Sequence, residues 1–532
     1  MYSDLLWNDW VIAEMGNYET APDGRLIYKK KGYLHVDHRY WFPDKQQEIR
    51  NLLQQGLVSF NKKNNRNEYY SFSPFAKLLV KTPRYRYQYE EGHYDLETKI
   101  RPICYAPHMD SLILGFYSFC LTKVYEDYIK NNCFDEAILA YRTDLGKCNI
   151  QFAQEVFQIV KQRGECSAIA LDIKGYFDNI DHIILLEKWK KVLGGKLPLD
   201  QFKLYNVVTK YSYINQKRLL KKYQGPARRN SRLPATLMDI VPGKNIKEKF
   251  MKLNSDQLIV TNNKPKEKTG RCCGIPQGSP ISSLLSNIYL IDFDADLIKK
   301  GISEGFSYRR YCDDILIICD TDVASKLMKF IIDKICKEYF LTIQPDKVDL
   351  IDFHRNSANQ MRGFRRPRKT WQKPCHKKKV IIRDSPAKTT SGNEQKLYRP
   401  LQYLGFEYNG KDILIRPSSL SRYFWKLNYR LQRTVVMSHS PKSLGNQIFL
   451  RQIYERYTHI GTRNFLTYAY KASKKSYKGH SGKIHNGLDS PAIRKQLRNH
   501  FNLLRHELSQ KNEKWFSHRL KSKKKVTPNH FK

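Results

Sequence analysis

From Ile100 to about Leu350, short apolar runs of strand length alternate with stretches whose apolar residues recur at helical spacing. That alternation predicts an α/β or α+β core. Two apolar runs stand out. Ala168–Leu171 reads as a strand that ends in Asp172, within AIALDIKGYFDNIDH (168–182). Ile315–Ile318 reads as another, within YRRYCDDILII (308–318), and directly follows two adjacent acids, Asp313 and Asp314. A third segment, CCGIPQGSPISSLLSNIYL (272–290), opens on a turn shaped by Gly274, Pro276 and Gly278. Ser279 and Pro280 then predict the N-cap and first residue of a helix running through Leu290. Ser490-Pro491 predicts a further helix start, with Ile493, Leu497, Phe501, Leu504 and Leu508 following at helical spacing.

Two basic stretches interrupt the pattern. One is 217–232, which contains a Gly-Pro break; the other is 355–383, with 11 Lys or Arg and no acid. Residues 1 to about 95 are rich in Tyr and basic side chains and show no clear motif, and the last residues, KSKKKVTPNHFK, read as a basic tail. Charge sharpens this picture: 94 Lys plus Arg against 51 Asp plus Glu give a formal net charge of +43. An imbalance of that size points to a polyanionic partner, nucleic acid first. The 11 Cys contain no CxxC pair, which argues for reduced thiols and against a zinc module built on cysteines. No apolar run approaches the roughly 20 residues that span a bilayer. The N-terminus lacks the basic and apolar regions of a secretory signal. A cytoplasmic location is expected.

The acid doublet is the chemical anomaly. Two carboxylates about 4 Å apart repel by roughly 4 kcal/mol at an effective dielectric of 20. One resolution is local pairing with Arg309 and Arg310. The other is a metal cage: a strand supplying Asp172 and a hairpin supplying Asp313 and Asp314 offer hard oxygen ligands suited to Mg²⁺. Two such ions can activate an attacking hydroxyl and stabilise a leaving phosphate oxygen.

Taken in order along the chain, these motifs resemble a reverse transcriptase palm. Asp172 matches the first palm aspartate, GIPQGS the turn that positions nucleotide and template, and YCDD the YxDD hairpin. LTIQPDKVDL (341–350) resembles the next motif, whose lysine, here Lys347, is implied to donate a proton to departing pyrophosphate. YLGFEYNGKDILIRPSS (403–419) is similar to the primer-grip hairpin before the thumb, and KIRPICYAP (99–107) to the fingers. The resemblance covers about 95–430. It implies an α+β right-hand polymerase with fingers, palm and thumb, the palm sheet backed by helices, and a helical C-terminal extension. The implied catalytic residues are Asp172, Asp313, Asp314 and Lys347, with a metal set of Asp172, Ile173, Asp313 and Asp314 holding two Mg²⁺. The implied dNTP contacts are Arg101, Phe177, Gln277 and Gly278. Phe177, five residues after Asp172, stands where the family places a gate against a 2′-OH, although alone it would read as a core aromatic. Nucleic acid is expected at Tyr403 and Gly405 and, within the basic insertion, at Arg365, Arg366, Arg368 and Lys369.

DIKGYFDNIDH is similar to the bacterial, group II intron-like lineage. RPICYAPHMDSLILGFYSFCLTKVYEDYI with AYRTDLGK looks like its defence-associated members, the abortive-infection and unknown-group enzymes. That implies cDNA synthesis from a dedicated, structured noncoding RNA in antiphage defence, with dNTPs and a DNA product as further partners and no membrane. Assembly with further copies of the chain is also compatible. Template-independent or protein-primed synthesis and a non-catalytic RNA-binding maturase or scaffold remain as alternatives. The expected divisions are an N-terminal extension with the start of the fingers (1–95), fingers and palm (96–350, with a basic insertion at about 205–265), a second basic insertion (351–400), the primer-grip hairpin (401–416), and thumb with C-terminal extension (417–532).

Overall fold

The two apolar runs are neighbouring strands. In this computed structural model Cys166–Asp172 pairs antiparallel with Asp314–Cys319 on one side and Asp349–Arg355 on the other. Ser307–Tyr311 and Met361–Arg365 complete a five-stranded palm sheet at its two edges. The structure describes residues 2–20, 24, 26–28, 33–61, 66–88, 93–134, 136–142, 144–224, 234–262, 265, 270–366, 398–440, 448–479 and 482–524. The side chains of residues 60, 61, 66, 67, 84–88, 93–96, 516 and 518–524 are outside that description.

Ile169, Leu171, Ile315 and Ile317 face one core, shared with the helices His108–Asn131, Ser282–Tyr289, Ile291–Glu304 and Ala324–Glu338. Cys166, Ala168, Leu316 and Ile318 face a second core, shared with helix Asn149–Arg163 and the thumb side of the molecule. A strand covered on both faces carries a continuous apolar run and not an alternating one, which explains Ile315–Ile318.

A four-stranded fingers sheet has the order His93–Tyr105, Phe75–Gln88, Ser212–Asn215, Ile259–Thr261. The basic stretch at 205–265 thus contributes two strands to this sheet, joined by helices Gln216–Gln224 and Ile246–Ser255. The N-terminal helix Asp4–Met15 buries Trp7 and Trp10, and Trp10 meets Phe116 of the helix His108–Asn131 edge-on, ring centroids 5.5 Å apart. After the palm, a three-stranded meander (Leu401–Tyr403, Phe406–Tyr408, Ile413–Ile415) leads into the thumb helix Pro417–Ser438. No described helix is long and apolar enough to cross a membrane.

Two helix starts differ from the sequence pattern. The helix expected at Ser279-Pro280 begins at Ser282, with Ile281 as its N-cap. The Pro276 carbonyl collects both the Ser279 N–H (3.3 Å) and the Ser282 hydroxyl (2.8 Å), so a tight turn takes up the intervening residues. Ser490 does cap, accepting the Ile493 N–H, but the apolar stripe that follows is split into Pro491–Leu497 and His500–Lys524. His500 Nδ1 lies 2.8 Å from the Leu497 carbonyl, occupying the acceptor that the next helical turn would have used.

The hairpin Ser307–Cys319 is anchored from beneath. Arg310 and Asp294 are both 0% exposed and form a bidentate pair, Nε–Oδ1 2.7 Å and Nη2–Oδ2 2.5 Å. Tyr308 Oη donates to the same carboxylate at 2.6 Å. Arg310 Nη1 donates to Asn287 Oδ1 (3.2 Å) and to the Cys312 carbonyl (3.1 Å) in the hairpin turn. Burial alone opposes the charged guanidinium, but Asp294 more than offsets this and its pKa stands well above the ordinary arginine value. Removing one member of such a pair leaves an uncompensated buried charge, so Asp294→Ala should cost about 3–5 kcal/mol of folding stability. Urea denaturation measures this, and a loss below about 1 kcal/mol would show that Arg310 does not depend on the pair.

Candidate active site

Asp172 ends the central palm strand, and Asp314 opens the strand beside it. The two are directly paired in the antiparallel register. Side chains opposite one another on an antiparallel pair stand about 4.5–5.5 Å apart at Cβ, and like charges there repel. Asp313 lies in the two-residue turn between Tyr311 and Asp314, where Cys312 takes the left-handed conformation (φ 58°). The Ile173 N–H donates to the Asp313 carbonyl at 3.0 Å, which extends the pairing around the turn. Strand end and hairpin turn therefore present three carboxylates at one edge of the sheet.

Arg309 and Arg310 do not neutralise them. Arg310 is committed to Asp294, and Arg309 Nη2 reaches Glu136 at 3.4 Å. The cation that faces the cluster is Lys347, whose Nζ donates to Asp172 Oδ2. Its short 3₁₀ turn, Pro345–Lys347, is held against the palm strand by Gln344 N–H on the Asp172 carbonyl at 2.8 Å. One lysine does not balance three acids. Asp313 is pushed above the ordinary carboxylate range by burial and then by Asp172, with Lys347 opposing. Asp314 is pushed up to about 7 by the protein crowding its carboxyl, then by Asp313 and Asp172. Its side chain reaches solvent, so the repulsion is the cause that governs its direction.

Chemically the three carboxylates suit a hard divalent cation, which takes oxygen ligands. One oxygen from each does not lie within 4.8 Å of the other two, a closeness that only His35, Asp37 and His108 reach among the described residues. Two ions about 3.5–4 Å apart spread their ligands over both centres and do not require it. Asp172, Asp313 and Asp314 would hold such ions.

The other expected residues fall into three groups. Phe177 is half-buried, and its carbonyl accepts the Ile275 N–H at 2.9 Å, so GIPQGS lies along the segment that follows Asp172. The Gln277 carbonyl accepts the Cys104 N–H at 2.8 Å. At Gly278 (φ 113°) a Cβ would meet Ile103 Cγ2 at 2.8 Å and the Cys104 carbonyl at 3.0 Å, so only glycine lets the turn dock on the fingers strand that carries Arg101. The turn thus joins the surroundings of Phe177 to those of Arg101. Tyr403 and Gly405 flank the first meander turn, where Leu404 (φ 45°) and Gly405 (φ 95°) are both left-handed. Tyr403 is buried, and its hydroxyl has no hydrogen-bond partner among the described residues. Burial, and next the charge of Asp314, raises its pKa.

The basic group is different. Arg366 is bidentate on Asp352 (2.7 and 2.8 Å) and also donates to Ser325 Oγ and the Thr321 carbonyl, both at 2.9 Å. Its fork is engaged within the protein and not offered to phosphate. Arg365 Nη2 lies 3.5 Å from Asp349 Oδ1. Arg368 and Lys369 lie outside the described residues.

Sequence reasoning gave no role to Tyr141. It is 46% exposed, left-handed (φ 62°), and donates its hydroxyl to Cys312 Sγ in the hairpin turn at 3.5 Å. Its neighbours are locked: Asn287 Nδ2 donates to the Ala140 carbonyl at 2.8 Å, and buried Arg142 pairs with Glu126 and Asp144 at 2.7 Å each. A backbone held in that region by its flanks marks functional sites more often than chance. Nothing in the local pattern of AYRTDLGK signals a positive φ.

Residues 236–408 match the family of reverse transcriptases (RNA-dependent DNA polymerases), so the chain carries a reverse transcriptase domain. The match spans GIPQGS, YCDD, Lys347 and the meander through Tyr408; Asp172 lies upstream of it. Solved structures to which this chain shows some similarity include apo telomerase from Candida tropicalis truncated from its C-terminal domain, at 10% identity and TM-score 0.37 over 70% of this chain and 59% of that one. Telomerase from Candida albicans in complex with a TWJ fragment of telomeric RNA is similar at 11% identity and TM-score 0.33, over 89% of this chain and 65% of that one. This chain therefore spans less than two thirds of either telomerase chain. No curated protein sequence matches it.

The raised pKa of Asp314 has a direct consequence for stability. Folding lifts it from 3.8 in the unfolded chain to about 7, so its contribution is full at acid pH and is lost as pH rises toward neutrality. Without divalent ions, the melting temperature of the parent should fall between about pH 4 and pH 7 relative to that of Asp314→Asn. Parallel pH profiles for the two proteins would contradict the electrostatic reading of the cluster.

Proposed function

We propose that this protein is an RNA-directed DNA polymerase whose nucleotidyl transfer takes place at Asp172, Asp313 and Asp314. The observation that carries the reading is the register pairing of Asp172 with Asp314, which sets an acid from outside the matched family segment beside the two within it. Two Mg²⁺ bound there, with the backbone at Ile173 completing the set, would activate the primer hydroxyl and neutralise charge on the leaving pyrophosphate. Lys347, already on Asp172, supplies the proton that the pyrophosphate takes up. Arg101 holds the triphosphate, Gln277 and Gly278 position nucleotide and template, and Phe177 excludes a ribose 2′-OH. Tyr403 and Gly405 hold the primer end.

The biological setting we propose is bacterial antiphage defence, in the cytoplasm, with a dedicated structured noncoding RNA as template. Its support is the fingers sequence around Arg101 and a net charge of +43. Arg365, Arg368 and Lys369 remain assigned to RNA; Arg366 is withdrawn, because Asp352 holds it.

The test is dNTP incorporation by the purified chain with Mg²⁺, with its co-purifying RNA and then without any RNA. Asp313→Ala with Asp314→Ala should remove synthesis by at least about 100-fold while the folded circular dichroism spectrum persists. Activity within about tenfold of the parent would overturn the assignment. Synthesis that persists without RNA and labels the protein itself would replace it with protein-primed, template-independent synthesis.

Phe177→Ala should raise ribonucleotide incorporation relative to deoxynucleotide incorporation by at least about tenfold, since removing the ring opens space for a hydroxyl. An unchanged ratio returns Phe177 to the core.

A further inference from the structure

Away from the acids, one cluster of metal-ligating side chains has no part in the chemistry described so far. His35 and Asp37 precede the helix Phe42–Gln55, and His108 is the first residue of the helix His108–Asn131. One ligand atom from each lies within 4.8 Å of the others, and no other trio of His, Cys, Asp or Glu among the described residues does this. His35 Nδ1 and Asp37 Oδ1 are buried and lack a hydrogen-bond partner among the described residues. Buried polar atoms left unsatisfied cost folding free energy, and two converging ones point to a ligand. The second Asp37 oxygen accepts the backbone N–H of His108 at 2.9 Å, which fixes the carboxylate's orientation.

We propose that His35, Asp37 and His108 form a binding site for one zinc-class divalent ion. Imidazole is a borderline-soft donor that suits Zn²⁺ and is a poor ligand for Mg²⁺. The set is thus chemically distinct from the all-carboxylate cluster in the palm. Three protein ligands leave the fourth tetrahedral position to water. The two imidazoles are stacked, centroids 3.9 Å apart and planes at 20°. A metal lies in the plane of each imidazole it binds, so stacked rings cannot both ligate one ion. Binding turns one ring about its Cβ–Cγ bond and draws the three atoms to the separation of about 3.3 Å that tetrahedral bonds of about 2.0 Å require.

The ion would act as a staple. The His35 carbonyl accepts the Leu237 N–H at 2.7 Å, and His38 Nε2 lies 3.2 Å from Asp239 Oδ1. The cluster thus stands where the N-terminal segment, the segment around Leu237 and the exit from the fingers strand His93–Tyr105 converge. The proposal does not depend on the polymerase reading.

The full chain, stripped with chelator and returned to excess Mg²⁺ so that the acids are occupied, is titrated with Zn²⁺ against a chromophoric competitor. The parent should take up about one equivalent, and His35→Ala and Asp37→Asn should each bind at least about tenfold more weakly. Asp37→Asn keeps the oxygen that accepts the His108 N–H, so it carries the test if His35→Ala does not fold. Zn²⁺ should also raise the melting temperature of the parent more than that of Asp37→Asn. Equal zinc affinity in parent and variants, or a parent that takes up no zinc under these conditions, would overturn the proposal.

Discussion

Arg310 and Asp294 meet with no exposure to solvent, and the placement of the palm acid doublet follows from them. Moving two charges out of water is costly, and only near-complete hydrogen bonding offsets it. The pair has that: Tyr308 takes part on the acid, and Asn287 and the Cys312 carbonyl on the base. Because Arg310 sits two residues before Cys312, its grip on that carbonyl ties the turn bearing Asp313 to the helices below. Asn287 also holds the Ala140 carbonyl, so the strained Tyr141 is fastened to the same centre. One ion pair thereby sets the register of the hairpin, the turn and the aromatic beside it.

The charge distribution divides by role. Around the palm acids, repulsion is left largely uncompensated, with Lys347 on Asp172 and Asp314 raised to about 7. Such a cluster is poised for divalent cations, which supply the charge that the protein withholds. Elsewhere, some arginines that look free in a basic sequence are engaged by acids of the palm sheet. Arg366 ties the edge of the palm sheet to Asp352, and Arg399 Nη2 lies 3.1 Å from Asp349. The net charge of +43 describes the whole surface as a polyanion binder, but it does not say which cations are available to a phosphate.

Much of the site was legible because its motifs are local. A strand that ends in an acid, a tight hairpin with two acids, and a turn shaped by glycine and proline each depend on neighbours a few residues away. Helix starts were less secure. Ser490 capped as its position implies, whereas Ser279 did not, because the Pro276 carbonyl captured the groups that would have begun the helix. The continuous apolar stripe after Ser490 gave no warning of the break that His500 makes by taking the Leu497 carbonyl.

By itself, then, the sequence determined the order of the motifs and the strand and turn that carry each acid. Hydrophobic period and turn residues act over short range, and that is where they are decisive. Only the tertiary structure decided that Asp172 faces Asp314, that Arg310 serves Asp294 and not the acid doublet, that Arg366 is spent on Asp352, and that His35 and His108 stand together. Each of those depends on strand register and on which side chains burial removes from water, and both are settled by contacts between segments far apart in the chain.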